Sequence, residues 1–430
     1  IIIYERAKEE LRDGKSLSES VIASYGWKGA MRSIIDANVT HILTGAILFT
    51  FGTGLIKGFA LTLLIGIVTS LFTSIFIARI FIDRNIASNS NLTFSTSITK
   101  NWFTNFHFDF IKIKKFTYVF SSIVVIVSLV SIFFVNGLDQ GVDFVGGRTF
   151  QVKFEKPIDA TKVAEELSKE FGTTVEAKIF GSDDQLKITT KYKITEEGVD
   201  VDKEVNEKLY KGLQHYYTNS SYEKFINSYD GKTVGVLQAS KVGASISEDI
   251  KTNSYWAVLG AMAVIFLYLM ISFRKWQYSL GAIAAVAHDV IFVLGIYSLC
   301  YKFMPFHMEM DQHFIAAILT VIGYSMNDTV IVFDRIREFI MGKRKGSFEE
   351  IVNASINTTL SRTLNTSLMM ILVLLTMFVF GGESIRGFIF AMLVGIVVGT
   401  YSSLFIATPV LVDTISRSDK NQIEKEHKEA

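Results

Sequence analysis

A single cysteine, Cys300, lies inside an apolar run. An internal disulfide is therefore excluded, and the redox compartment cannot be read from thiols. No Walker loop, nucleophile elbow or HExxH motif occurs, which removes support for ATP hydrolysis or peptide cleavage, and with it for an enzyme. A charge surplus is also missing. The 43 Lys and Arg against 42 Asp and Glu leave a net charge of +1, and orientation in a membrane depends on where Lys and Arg lie rather than on their sum. There is no initiator Met and no signal-peptide pattern, and in a chain expected to be a piece of a longer one neither absence is informative.

What is present is apolar. Hydrophobic residues make up 49% of the chain, with 35 Phe and only 3 Pro, and mean hydropathy is +0.34. The charged residues cluster between apolar runs of roughly 17–25 residues, the length that spans a bilayer core as helix. Full spans read as 34–51, 58–82, 116–135, 255–273, 277–300, 313–333, 360–380 and 386–412. The chain is thus a polytopic α-helical membrane protein. Most short-loop Lys and Arg fall near Arg6–Arg32, Arg84–Lys115, Arg274-Lys275 and Arg335–Arg362, and after Arg417. Placing all five on the cytoplasmic side gives a consistent alternation. The basic loops then serve topology rather than nucleic-acid binding. The turns 52–57 and 381–385, the loop 301–312 and a large insertion, 137–253, fall outside.

The chain repeats itself at an offset of 329 residues. Tyr4-Glu5-Arg6 aligns with Phe333-Asp334-Arg335, Ile35-Asp36-Ala37-Asn38 with Leu364-Asn365-Thr366-Ser367, and Ile56-Lys57-Gly58-Phe59 with Ile385-Arg386-Gly387-Phe388. Residue 1 then corresponds to Val330, in the middle of an apolar segment, so the first copy is expected to have lost its beginning. A full copy has one span, an external domain and five further spans. Six is even, so both copies enter from the same side, as in parallel-repeat transporters whose chemistry lies between repeats. Within the insertion, Thr149–Phe154, Thr174–Phe180, Gln185–Ile194 and Thr233–Gln238 read as strands, and Ala160–Phe171 and Lys203–Tyr217 as helices. The order βαββαβ is the ferredoxin-like split unit.

An ionisable side chain at mid-membrane costs about 2.5–3.5 kcal/mol and is a functional candidate by default. Three places qualify. His288-Asp289 lies near the centre of 277–300, Asn327-Asp328 lies deep in 313–333, and Arg362, followed by Asn365, opens 360–380. Asp328 leads, with Tyr324 one turn away on the same face. A carboxylate shielded from water can exchange a proton near physiological pH; its plainer reading is a structural hydrogen bond across helices. Arg362 stays charged, so its role would be electrostatic, holding Asp328 ionised when close and releasing it when the helices move; alternatively it snorkels to the headgroups from a helix end. His288 and Asp289 point about 100° apart and are expected not to pair with each other; they either titrate or bind helices together. Asp36, the counterpart of Asn365, is a symmetric polar partner or a helix-start cap. Gly395 and Gly399 are spaced for close helix packing. His307, Glu309, Asp311 and His313 read as a solvated loop in preference to a metal site.

These residues carry a family resemblance. GVDFVGGRTFQV (141–152) resembles the signature that opens the external domain in the SecD/SecF family of protein-export membrane proteins, of the RND superfamily. AHDV (287–290), IGYSMNDTVIVFDRIRE (322–338) and LSRTLNTS (360–367) resemble that family's successive membrane motifs. IIDANVT (34–40) and FGTGLIKGFALTLLIGI (51–67) are similar to the last two spans of its SecD half. The likeness covers nearly the whole chain except the linker 83–115 and parts of the external domain. It implies an RND-type transmembrane helix bundle with one ferredoxin-like α+β external domain, in a fused SecDF arrangement. The parts would be a truncated SecD-like end (1–82), a cytoplasmic linker (83–115), a first SecF-like span (116–136), the periplasmic domain (137–253), a five-helix remainder (254–413) and a cytoplasmic tail (414–430).

The resemblance further implies a multi-pass protein of the bacterial inner membrane that uses the proton gradient to assist Sec-dependent export. Protons would be its coupling ion, with no cofactor and no metal. Its partners would be the SecYEG channel, SecA, a YajC-like accessory protein, the translocating preprotein and membrane lipids. The family's proton-pathway Asp and Arg match Asp328 and Arg362, with Asn327, Asn365, His288, Asp289 and Asp36 beside them; Gly141, Asp143, Gly146 and Gly147 belong to the external-domain signature. A further family Asp, in a D-A-N motif, would precede the segment matched by Ile1–Arg6. The rivals are an RND-type transporter of small molecules or lipids, and a scaffold that needs no ionisable set.

Overall fold

Inside a bilayer every backbone N–H and C=O must pair within its own segment, so apolar runs of this length become helices. The computed structural model describes residues 2–52, 54–88, 92–94, 107–196, 198–218, 221–228, 234–304, 306, 308–417, 419–420 and 423. Much of the linker 83–115 and of the tail 414–430, His307 and the start of the expected strand at Thr233 lie outside them. In chain order the elements are α1 (Ile2–Arg12), α2 (Leu17–Tyr25), α3 (Arg32–Phe51), α4 (Gly54–Phe72), α5 (Ala78–Ala87), α6 (Lys114–Val130), α7 (Val142–Val145), β1 (Gly147–Lys153), α8 (Ala160–Phe171), β2 (Val175–Phe180), β3 (Ser182–Thr190), α9 (Val199–Leu213), α10 (Tyr222–Ile226), β4 (Gly235–Val242), α11 (Ala244–Phe273), α12 (Trp276–Cys300), α13 (Gln312–Met341), α14 (Phe348–Phe380), α15 (Glu383–Ser402) and α16 (Thr408–Thr414). Among the described residues eight helical segments are long and apolar enough to cross a membrane, one for each expected span.

The two copies are built alike. A π-helical turn follows α4 at Thr73–Ile77, and another follows α15 at Ser403–Ala407; 403 − 73 = 330, one residue from the repeat register. The first copy's α3 packs on α13 and α11, while α14 and α15 pack on α13 from the second copy. α13 is the pivot. Nearly all its side chains from Phe314 to Phe333 are buried, whereas α4 and α6 turn apolar side chains such as Ile65, Val68, Ile123 and Ile126 outward.

α13 and α15 can approach closely because Gly395 and Gly399 lack side chains. A Cβ on Gly395 would lie 2.2 Å from Val321 Cγ2, and one on Gly399 would lie 3.0 Å from Ser325 Cβ. The basic connections gather at one end of the bundle. There Asp413 receives Lys114 and, at 3.0 Å, Tyr118 Oη, Lys420 donates to Glu349 at 2.7 Å, and Asn357 grips the backbone of Phe108 from both sides at 2.8 and 2.9 Å. This is the cytoplasmic end by the positive-inside rule.

At the other end sits the external domain. Its four antiparallel strands run in the order β2-β3-β1-β4, the ferredoxin-like arrangement. α8 and α9 cover one face, closing a core of Phe150, Val152, Val163, Leu167, Leu186, Ile188, Val205 and Leu209. α8 keeps its expected bounds because Asp159 caps its start, accepting from the Thr161 amide, and Gly172 ends it in the left-handed region (φ 69). β3 stops at Thr190, short of the expected Ile194, because the chain turns at Lys193 with φ 47.

Gly395→Ala is expected to lower stability by about 1–3 kcal/mol through overpacking against Val321. Thermal unfolding in detergent would show it, and Val321→Ala in the same chain should recover part of the loss.

Candidate functional site

Asp328 is buried on α13 and lines a cavity of about 280 Å³ with Tyr324, Asn327, Thr366, Ser367 and Thr400. Its hydrogen bond is a long one, from Ser367 Oγ to Oδ2 at 3.3 Å, and Ser367 is also engaged with Thr400 at 2.7 Å. A bond of that length does little to hold α13 and α14 together, and it leaves the carboxylate thinly satisfied in low dielectric. Above it, towards the outside, His41 of α3 stands edge-on to Tyr324 with ring centroids 5.1 Å apart and rests over Gly323, where a Cβ would come within 3.1 Å of its ring. The sequence reading did not single out His41, since a lone His in an apolar span carries no motif.

The neighbouring Asp289 is the opposite case. His288 Nδ1 lies 3.1 Å from its Oδ1, and the hydroxyls of Ser325 and Ser402 donate to its Oδ2 at 2.6 and 2.7 Å. This corrects the expectation that adjacent residues, 100° apart, cannot pair: Nδ1 is a single bond from the ring attachment and the carboxylate is short, so the two heads meet across the arc. Asp289 is thereby a saturated knot joining α12, α13 and α15. Ser402 and Ser403 both point inward, Ser403 Oγ donating to the Ser325 carbonyl at 3.2 Å. They do so where the π turn begins, a place where helices often aim side chains for function. Hydroxyls scattered in apolar runs gave no signal of this in the sequence.

Arg362 is not at a helix end. α14 begins fourteen residues earlier, at Phe348, behind a capping box of Ser347 and Glu350, so snorkelling from a terminus does not describe it. Its Nε and Nη2 are buried without a hydrogen-bond partner, and among the described residues it forms no ion pair with Asp328. It lines a second cavity, of about 580 Å³, on the cytoplasmic side, together with Arg6, Glu9, Ser33, Asp334, Arg335 and Glu338.

Asp36 lies five residues into α3 and caps nothing. Its Oδ1 accepts from Tyr268 Oη at 2.9 Å, and its Oδ2 lies 3.8 Å from both Arg32 and Arg337. Arg337 also pairs with Asp334. The symmetric register therefore sets Asp36 in its own ionic cluster, apart from Asp328. Asn365, its counterpart, sits 200° round α14 from Ser367 and is absent from the lining of the Asp328 cavity.

Outside the membrane, the GVDFVGG segment docks the external domain. Gly141 N donates to Met310 O at 2.9 Å, Met310 N to Asp139 O at 2.7 Å, and Gln312 N to Asp143 Oδ2 at 3.1 Å. Gly146 and Gly147 have φ values of 72 and 152, so the turn into β1 requires glycine at both. Glu309 accepts from Lys187 at 2.8 Å, and Lys178 donates to Asp139 at 2.8 Å. Burial works against the Lys178 charge, but Asp139 and Glu309 beside it prevail and hold its pKa above the usual range. Asp311 caps α13, accepting from Phe314 N at 2.8 Å, and burial pushes its pKa up. The loop 308–312 is thus a docking strip and not the solvated loop expected.

The pattern described as "Protein export membrane protein SecD/SecF, C-terminal" matches residues 1–85 and 221–417, and the "SecD/SecF GG Motif" matches 131–158. The chain is 42% identical to the protein translocase subunit SecF of Rhodothermus marinus over 316 residues, covering 74% of this chain and 96% of that protein. It is 30% identical to the SecDF of Thermus thermophilus over 426 residues, covering 99% of this chain and 53% of that protein. The crystal structure of a Thermus SecDF, titled a translocon-associated membrane protein, superposes with a TM-score of 0.79 at 30% identity, covering 96% of this chain and 52% of that one. A SecDF in a super-membrane-facing form gives 0.69 at 28% identity, covering 100% of this chain and 53% of that one. The chain spans about half the length of the SecDF relatives it matches.

The two buried carboxylates should separate in a stability measurement. Asp289→Ala leaves the donors at Ser325 and Ser402 unsatisfied and is expected to cost about 1–3 kcal/mol for each. Asp328→Asn loses one long hydrogen bond and should stay within about 1 kcal/mol. Thermal unfolding of both variants in one detergent checks the contrast.

Proposed function

This chain belongs to the SecD/SecF family of protein-export membrane proteins, and on that premise we propose that it helps export proteins across the bacterial cytoplasmic membrane by coupling proton movement to movement of its external domain. The observation that carries this is the unequal treatment of two buried carboxylates: Asp289 is saturated, while Asp328 faces a cavity with one weak bond. Protons from outside reach Asp328 along the repeat interface. When Asp328 is charged, Coulomb attraction in a low dielectric draws Arg362 towards it. When Asp328 takes a proton that attraction lapses, and Arg362 is left to the cytoplasmic cavity that it lines.

The shift of α14 against α13 then reaches the docking strip, because α13 starts at Gln312, whose amide donates to Asp143, directly after Met310, which bonds Asp139 and Gly141. His288 and Asp289 act as the fixed point about which this happens. The partners are those of the Sec machinery: the SecYEG channel, SecA, a YajC-like protein and the preprotein itself, with lipids around the bundle and no nucleic acid. The coupling ion is the proton, without a bound cofactor. A transporter of small molecules or lipids would instead need a passage through the external insertion, whose interior is filled by Phe150, Phe154, Leu167 and Leu209.

Asp328→Asn in the full-length protein is expected to remove the part of preprotein export that depends on a proton gradient, while leaving the gradient-independent part. Export into vesicles with and without the gradient measures this, and unchanged gradient dependence would remove Asp328 from the mechanism. Arg362→Lys keeps the charge but loses the planar fork, so it should retain only part of the activity.

A further inference from the structure

At the cytoplasmic end of the repeat interface four side chains form a closed ring. Arg6 Nη1 donates to Glu9 and to Glu338, both at 3.0 Å. Arg335 donates to Glu338 at 2.8 Å and to Glu9 at 3.2 Å. Adding 329 converts Arg6 into Arg335 and Glu9 into Glu338, so the ring is its own image under the pseudo-symmetry of the two copies. Two of its bonds lie within a helix, at i,i+3, and two cross between copies.

That mixture sets its physics. If the copies part, each guanidinium keeps the carboxylate on its own helix, so no charge is stranded and separation exchanges pairs rather than losing them. The side chains are also only partly enclosed: Glu338 is 44% exposed and Glu9 34%. Partly solvated pairs contribute weakly and open readily. The ring is placed to matter. Arg335 Nε donates to Thr358 Oγ1 at 3.3 Å, and Thr358 precedes Arg362 by four residues, about 6 Å along α14. The ring and Arg362 line the same cavity of about 580 Å³.

We propose that Arg6, Glu9, Arg335 and Glu338 form a gate between the two copies, on the cytoplasmic side of Arg362. Closed, it holds the cross-copy pairs. Open, it keeps only the same-helix pairs and admits cytoplasmic water to Arg362. The gate rests on the proton-path reading above and adds to it the device that controls the inner mouth.

The test uses full-length protein in inverted membrane vesicles, cysteine-free except for Ser33→Cys in the cavity wall, with Glu10→Gln in every variant to remove a competing partner of Arg6. A membrane-impermeant maleimide reports access from the cytoplasmic side. The half swap R335E/E338R preserves the same-helix pair in reverse but makes both cross-copy pairs like-charged. It should raise the labelling rate by about fivefold. Adding R6E/E9R restores opposite charges throughout and should bring the rate back close to the parent's.

An unchanged rate in the half swap overturns the gate. So does a fourfold variant that labels like the half swap, because the effect would then belong to the residues and not to their pairing. Failure of the half swap to fold, with recovery in the fourfold variant, also overturns it, since the ring would be a permanent staple. Labelling does not depend on export or on Asp328. The gate can therefore fail while Asp328→Asn still abolishes gradient-dependent export, and the reverse outcome is equally visible.

Discussion

The bundle depends on the enclosure of one helix. α13 is enclosed by protein through most of the membrane, so each polar group it carries must find its partner within the protein or stand unsatisfied in low dielectric. Ser325 and Thr329 find theirs on α12 and at the end of α15, through Asp289 and Ser403. Asp334 finds Arg337 on its own helix. Those bonds fix how α12, α13 and α15 sit together, and the glycines at 395 and 399 let them sit close. Asp328 and Asp334 are less completely satisfied, since Asp328 has one long bond and Asp334 Oδ2 accepts none. The weak bond of Asp328 is a cost the packed helix could have avoided with an apolar residue, which supports the proposal that this carboxylate takes up a proton.

Duplication supplies two similar scaffolds whose paired side chains differ in part. α3 stands to α4 as α14 stands to α15, and the π turns recur one residue out of register. The charges at the cytoplasmic end are kept in both copies, as the ring of Arg6, Glu9, Arg335 and Glu338 shows. In the membrane the charges diverge: Ser33 occupies the place of Arg362, and Asp36 that of Asn365. The charge at the rim is thus repeated in both copies, while at the depth of Arg362 the paired positions differ.

Much of this was legible from the residues alone. The number of spans followed from apolar length, and the βαββαβ order from alternation and helical spacing, because one face of each element had to be buried. Polar helix extensions were less visible. α11 begins at Ala244 and α14 at Phe348, well before their apolar spans, although Ser347 and Glu350 form a capping box that marks the second start. α10, five residues long, is too short to show a period. Helical angle alone does not reveal the pairing of His288 with Asp289, which depends on side-chain reach, and the contacts of Ser325, Ser402 and His41 depend on neighbours far away in sequence. The docking strip was read as solvated loop because Lys178 and Lys187, which neutralise Glu309, lie more than a hundred residues upstream.

How a buried proton could move a domain outside the membrane is answered by the number of connections between them. β4 runs into α11 with only Gly243 between them, and α11 continues as a single helix to Phe273. α7 packs against that helix as well as against β1. The third tie is the strip 308–312, held to the domain by backbone bonds through Asp139, Gly141 and Met310. With the chain passing from α6 into α7 and from β4 into α11, and with the strip at the start of α13, the domain is joined to three helices of the bundle. α11 and α13 both flank α3 of the other copy. On the proposed mechanism a change at the repeat interface would tilt two of these three helices, and a short displacement at the depth of Asp328 would be carried outward along α11, whose 30 residues extend about 45 Å. In that proposal the firmness of the attachment, rather than flexibility in the domain, is what would let the external part act as a lever.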